Sequence, residues 1–216
     1  REMANYPACL ADYDRALALD RTQAWLFAGR GQAHSDLGDY AAAVADFASA
    51  LELNDQQPVL YILRGEAYLE LDDGAAALAG IDRALELDPD SVQPGFYADR
   101  GDAHRLLGDY EAALADLDHS LTLGPDNPWA LGLRAGIHTR LGNTAGALSD
   151  LDQAIALQPD EDWYHYRRGL IHLQLHADKA ARTDIEQALA LAGERYTSDP
   201  RMWRNTLNIA LYHVAI

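Results

Sequence analysis

Lysine is nearly missing from this sequence, cysteine is as scarce, and long apolar runs do not occur at all. Lys179 is the only lysine, so arginine carries the positive charge, and 17 basic residues face 34 acidic ones for a formal net charge of −17 at pH 7. A polyanion of that size repels nucleic-acid phosphates and anionic lipid surfaces. No basic cluster interleaved with aromatics offsets it, so neither nucleic acid nor a membrane is expected as a partner. With Cys9 alone, no internal disulfide and no cysteine-based zinc site can form. The scarcity suits a reducing compartment, and a cytoplasmic location is the expectation. No run approaches the roughly 18–20 apolar residues of a membrane span. Nothing reads as a signal peptide either, since Arg1-Glu2-Met3 leads straight into an amphipathic stretch. The first residue is not Met, so the sequence reads as a piece of a longer protein. The glycines fit no phosphate-binding loop and no Ser-His-Asp arrangement has a workable spacing, so neither an enzyme nor a cofactor is expected. Val, Ile and Thr are sparse while Ala and Leu dominate, which favours helix over sheet.

What is present is a phrase, repeated. Arg30-Gly31-x-Ala33-His34 returns as Arg64-Gly65-x-Ala67-Tyr68, Arg100-Gly101-x-Ala103-His104, Arg134-Ala135-x-x-His138 and Arg168-Gly169-x-x-His172, at spacings of 34, 36, 34 and 34 residues. A second phrase follows each first one. Leu37-Gly38-Asp39-Tyr40-x-x-Ala43-x-x-x-Phe47-x-x-Ala50-Leu51 is its clearest copy, and Leu107-Gly108-Asp109-Tyr110 and Leu141-Gly142-Asn143-Thr144 open two more. Apolar residues such as Ala43, Phe47, Ala50 and Leu51 stand at helical spacing. Gly-Asp and Gly-Asn pairs supply a C-cap and then an N-cap, and the pairs containing Pro89 and Pro125 interrupt the chain between copies. A helical hairpin of this kind cannot bury its apolar face alone, so successive copies must stack.

A 34-residue period with Gly, an aromatic, Ala-x-x-x-Phe and a closing Pro (Pro89, Pro125, Pro159) resembles the tetratricopeptide repeat over almost the whole chain. The resemblance implies an all-α, right-handed superhelical solenoid of antiparallel helix pairs, about twelve helices in all. Aligning the phrases gives repeats at 24–57, 58–91, 94–127, 128–161 and 162–195, with two extra residues near Val92-Gln93. Residues 6–20 match only a second helix, and 200–216 only a first, so 1–216 reads as a single array with a half-repeat at each end. Trp203, Ile209, Leu211, Val214 and Ile216 make the last helix apolar, which suggests continuation of the parent protein or end-to-end self-association.

Several recurrent residues read as structural. Asp12, Asp46, Asp116, Asp150 and Asp184 occupy one fixed place in the second helices, with Gly80 the exception, and are expected to pair with the recurrent arginines. His34, His104, His138, His172 and His213 fall one per copy, too far apart to share a metal. His172 and His176 have chelating spacing, but no glutamate follows to complete a metalloprotease motif. Cys9 shares its register with Ala43, Ala77, Ala113, Ala147 and Ala181, and is expected to be a small buried residue.

In the family that this resembles, the first helices line a concave groove that holds a peptide or protein segment. Carried over by register, that groove would show Trp25, Gln32 and Asp36, then Ile62, Glu66, Leu69 and Glu70, then Ala98, Asp102 and Arg105. Trp129, Gly132, Gly136 and Arg140 come next, then Trp163, Tyr166, Arg167, Leu170 and Gln174. The N-terminal half is acidic (Asp36, Glu66, Glu70, Asp99, Asp102). The C-terminal half sets Arg105, Arg140 and Arg167 beside Trp129, Trp163 and Tyr166, with Gly132 and Gly136 leaving room. Aromatic and arginine side chains are favoured binding anchors. The alternative for Trp129 and Trp163 is that they seal joints between copies. The lysine and asparagine clamp by which one subgroup grips chaperone tails is not matched, because Gln32, Glu66, Asp102, Gly136 and Leu170 stand there. The expected function is an interaction scaffold for a protein or peptide ligand, without catalysis. The alternative is a sensor or regulatory segment of a larger signalling protein, such as an ATPase, and Asp162-Trp163-Tyr164 resembles repeat arrays fused to bacterial signalling proteins.

Overall fold

The computed structural model describes residues 6–89 and 93–198, and among them there are eleven helices and no strand. Two compact units divide the chain. The first, residues 1–123, holds α1 (Tyr6–Leu19), α2 (Ala24–Asp36), α3 (Tyr40–Leu53), α4 (Pro58–Glu70), α5 (Gly74–Leu87), α6 (Pro94–Leu107) and α7 (Tyr110–Leu123). The second, residues 124–216, holds α8 (Pro128–Arg140), α9 (Thr144–Leu157), α10 (Asp162–Gln174) and α11 (Asp178–Ser198). The helices pair in sequence: α2 with α3, α4 with α5, α6 with α7, α8 with α9 and α10 with α11. Within the first unit α4 also touches α2 and α6, so the first helices lie side by side. The expected helix over 200–216, with its apolar residues and His213, lies outside the described residues, as does Val92.

Each hairpin turns by the same device. The residue ending the first helix region adopts positive φ at Gly38, Gly108 and Gly142 (76–80°), a backbone that glycine enters without strain. Asp72 and His176 hold the same place in the other two hairpins at φ 58° and 56°. The next residue then caps the second helix. Asp39, Asp73, Asp109 and Asn143 accept a backbone N–H three residues on, at 3.0–3.2 Å. Pro58, Pro94 and Pro128 start first helices, where a missing N–H costs nothing.

Within each unit the core lies between the two helices of a hairpin and against the next. Ala43, Ala77, Ala113, Ala147 and Ala181 are fully buried, as are Phe47, Ile81, Leu117, Leu151 and Ile185 four residues later. Helices approach this closely because a small residue faces each large one: a Cβ on Gly31 would stand 2.9 Å from Phe47, and one on Gly101 2.9 Å from Leu117. Cys9 departs from its expected place. It is exposed, because no first helix precedes α1 among the described residues to cover the face on which the equivalent alanines are buried.

The recurrent arginines and aspartates form the expected ladder, and it has two rows. Arg30, Arg100, Arg134 and Arg168 each donate Nε and Nη2 to Asp46, Asp116, Asp150 and Asp184 at 2.6–2.9 Å, a bidentate pair inside one hairpin. Nη1 of Arg30, Arg100 and Arg168 reaches back to Asp14, Asp82 and Asp152 on the preceding second helix. One guanidinium thereby fixes the register of three helices. His104, His138 and His172 stand 3.7–3.9 Å from the same buried carboxylates.

At the end of the second unit, α11 runs for 21 residues where the other second helices run for 14. Its Arg195 folds back onto the start of α10. It donates to Asp162 at 2.7 Å and to Glu161 at 3.0 and 3.1 Å.

Candidate functional site

The first helices differ from copy to copy, and the two units use the same first-helix positions for different chemistry. In the repeat register, Glu66 of α4 is equivalent to Gly136 of α8, Asp99 of α6 to Arg167 of α10, and Gly95 to Trp163.

In the first unit the joint between α4 and α6 is acidic. Asp99 is pushed up to about 7, first by desolvation and then by the charges of Glu66 and Asp102. Desolvation also raises Glu66. Asp102 is buried and raised by desolvation, with Asp72 and Glu70 adding repulsion, while Arg105 donates Nε to it at 2.6 Å and opposes the rise. Arg105 therefore partly neutralises Asp102 within the first unit. Among the described residues, no cation pairs with Glu66 or Asp99. Where Trp163 stands in the second unit, Gly95 here has open space around its Cα. Glu70 is exposed at the end of α4, Trp25 is 64% exposed at the start of α2, and Gln32 donates to Asp36 at 3.0 Å.

In the second unit the equivalent joint is aromatic and basic. The Arg167 guanidinium lies 4.6 Å above the Trp163 ring, and Trp163 meets Tyr164 edge to face at 5.4 Å. A Cβ on Gly132 would come within 2.9 Å of Trp163 and 2.7 Å of Tyr164, and one on Gly136 within 2.8 Å of Arg167. The room left by these glycines is thus filled by the chain's own side chains, and Trp163 seals a joint. Tyr166 is half-buried against Ile185, Ala188 and Ala192 of α11. Trp129 remains 49% exposed and Arg140 is exposed at the end of α8. The triplet at 162–164 is structural: Asp162 is fully buried against Arg195, and Tyr164 is buried.

Asp99 is the residue whose importance the spacing alone conceals, because its perturbation comes first from burial and then from charges such as Glu66, 33 positions earlier. The signal was its equivalence to Arg167. Its titration has a measurable consequence. Unfolded, an aspartate releases its proton near 3.8, whereas folded Asp99 does so at about 7. Between these values the folded chain holds a proton that the unfolded chain has lost, so stability falls as pH rises through the window. The melting temperature is expected to be higher near pH 5.5 than near pH 8, and Asp99→Asn is expected to shrink that difference. An unchanged pH dependence in the variant refutes the assignment.

No group of three or more His, Cys, Asp and Glu side chains among the described residues could hold a metal ion, and no described helix is long and apolar enough to cross a membrane. Family profiles described as tetratricopeptide repeat match residues 28–92, 62–128 and 105–167. The chain belongs to the tetratricopeptide repeat family. Solved structures agree on the fold. A tetratricopeptide repeat protein from Parabacteroides merdae is 18% identical with a TM-score of 0.76, over 96% of this chain and 78% of that one. A thermophilic repeat protein of Thermus thermophilus is 21% identical with a TM-score of 0.69, over 88% and 99%. YrrB, described as a repeat protein with an unusual peptide-binding site, is 17% identical with a TM-score of 0.59, over 83% and 91%. No protein of curated function matches the chain. Membership in this repeat family supports a general role as a protein-interaction scaffold.

Proposed function

We propose that the face formed by α2, α4 and α6 binds a basic segment of a partner protein, with a lysine or arginine side chain seated between Glu66 and Asp99. The raised Asp99 carboxyl carries this reading: Asp99 is half-buried and repelled by the exposed Glu66, neither pairs with a cation among the described residues, and an incoming ammonium or guanidinium relieves the repulsion. The open space at Gly95 admits the side chain from one flank. Glu70 and the Asp102–Arg105 pair border the seat, and Trp25 offers an exposed ring on the same set of helices. In the second unit, the exposed Trp129 and Arg140 at the two ends of α8 suit an aromatic or acidic segment.

Calorimetric titration with a short oligo-arginine peptide tests the seat. Binding is expected to weaken by about tenfold or more in Glu66→Gln/Asp99→Asn. It should be preserved in Glu52→Gln/Asp55→Asn, which removes the same charge from exposed positions elsewhere. Affinity of the native chain should also rise with pH through about 7, as Asp99 loses its proton. Equal weakening in both variants would mean that only the net charge of −17 attracts the peptide, and the seat would be rejected.

A further inference from the structure

The ladder is broken at one rung, and the break is double. Every other ladder arginine among the described residues has an aspartate on its own second helix, yet Arg64 has Gly80 there. The preceding second helix, which supplies Asp14, Asp82 and Asp152 to Arg30, Arg100 and Arg168, offers Arg64 only Ala48. The carboxylates nearest in register are committed elsewhere: Asp46 to Arg30 at 2.6 and 2.8 Å, and Asp82 to Arg100 at 3.2 Å. Arg64 Nε is buried with no hydrogen-bond partner. The residue as a whole keeps part of its surface in water, so it is the Nη edge that solvent reaches. The guanidinium is already positioned, since it lies 5.4 Å above the Tyr61 ring.

We infer that Arg64, standing in a ladder from which Gly80 and Ala48 have removed both carboxylates, is a receptor for a carboxylate brought by another molecule, the aspartate or glutamate side chain of a partner protein. The equivalent rungs define the geometry. Asp14, Asp82 and Asp152 reach their arginines from the outer side, with side chains 47–62% exposed. A carboxylate from solvent can take that position beside Ala48, which is itself only half-buried. There it would meet Nη1, the donor that reaches Asp14, Asp82 and Asp152 in the other rungs, on a guanidinium whose Nε also lacks a partner. Arg64 lies two residues from Glu66, about 200° around α4, so this site is separate from the acidic seat and stands whether or not that seat binds a cation.

The test follows the arginine Nε–H signals of the whole chain by nuclear magnetic resonance. Sodium acetate, the head of an aspartate side chain, is titrated against sodium chloride and sodium phosphate at matched ionic strength. The Arg64 signal is expected to move with acetate and saturate, while the signals of Arg30, Arg100, Arg134 and Arg168 stay in place. Ala48→Asp, which supplies an internal carboxylate at the register of Asp14 and Asp82, is expected to start near the acetate-bound position and to lose the response. Its thermal stability in chloride should rise, and this gain should vanish when Arg64→Gln is added. An Arg64 signal that ignores acetate, that moves as far with chloride or phosphate, or that still responds in Ala48→Asp overturns the inference.

Discussion

Replacing Phe47 by alanine is expected to lower the stability of the first unit by about 3–5 kcal/mol, the range for emptying a buried aromatic site. Phe47 is completely buried among Ala43, Ala50, Leu51, Leu60 and Ala67, with Phe27, Val44 and Leu63 packed around them. Its ring occupies the space that Gly31 leaves by having no side chain. Collapse into the hole is limited because the alanines at Ala43, Ala50 and Ala67 have no side chain long enough to fill it. The other hairpins hold Ile81, Leu117, Leu151 and Ile185 at this position, so Phe47→Leu should cost less than about 1.5 kcal/mol. Urea unfolding followed by circular dichroism separates the two variants. A loss below about 1 kcal/mol for the alanine would mean that Phe47 is not the keystone of its hairpin.

The second large effect is electrostatic. Asp184→Ala is expected to destabilise the second unit by about 2–3 kcal/mol near neutral pH, because it strands the Arg168 guanidinium. Burial works against the charge on Asp184, but side-chain contacts from His165 and Arg168, with the charge of His172, outweigh it and hold the carboxyl at about 2. His165 Nδ1 stands 3.9 Å away, beyond hydrogen-bond length, so the two short bonds from Arg168, at 2.6 and 2.9 Å, carry most of the effect. The folded value lies below the unfolded 3.8, so this contribution is complete above about pH 4 and fades as pH falls toward 2. The native chain and the variant should therefore converge in acid. Adding Arg168→Met to Asp184→Ala should recover part of the loss, since no charge is then left without its partner. A double variant weaker than Asp184→Ala alone would contradict this account.

The helices and the ladder were legible in the sequence because each is stated several times over. Five copies of one phrase average out the ambiguity of any single stretch, and Gly80 stands out in the sequence as the exception to the recurrent aspartate. What the pattern could not convey was whether a face has a neighbour. Cys9 carries the register of a buried alanine but is exposed, since no first helix precedes α1 among the described residues. Gly132 and Gly136 looked like room for a ligand, yet Trp163, Tyr164 and Arg167 of the next hairpin fill that room. Register places residues along a helix; it does not say which of two facing side chains takes the space. Asp99 was legible as one more acidic residue, and its raised pKa appears only when α4 and α6 are laid together. Asp72, hidden in a turn where glycine is usual, joined the same charge cluster unannounced.

The contact of Arg195 with Asp162 joins residues 33 positions apart, which makes a closed ring of the α10–α11 hairpin. Its clasp is ionic where secreted proteins often use sulfur, and so it opens without chemistry. Tension applied to the α11 end meets this clasp ahead of any other described side-chain contact. Unravelling from that side therefore starts with a charge step and reaches the apolar step at Ala192 and Ala188 only afterwards. A hairpin fastened in this way resists fraying under quiet conditions, yet yields in two stages when pulled.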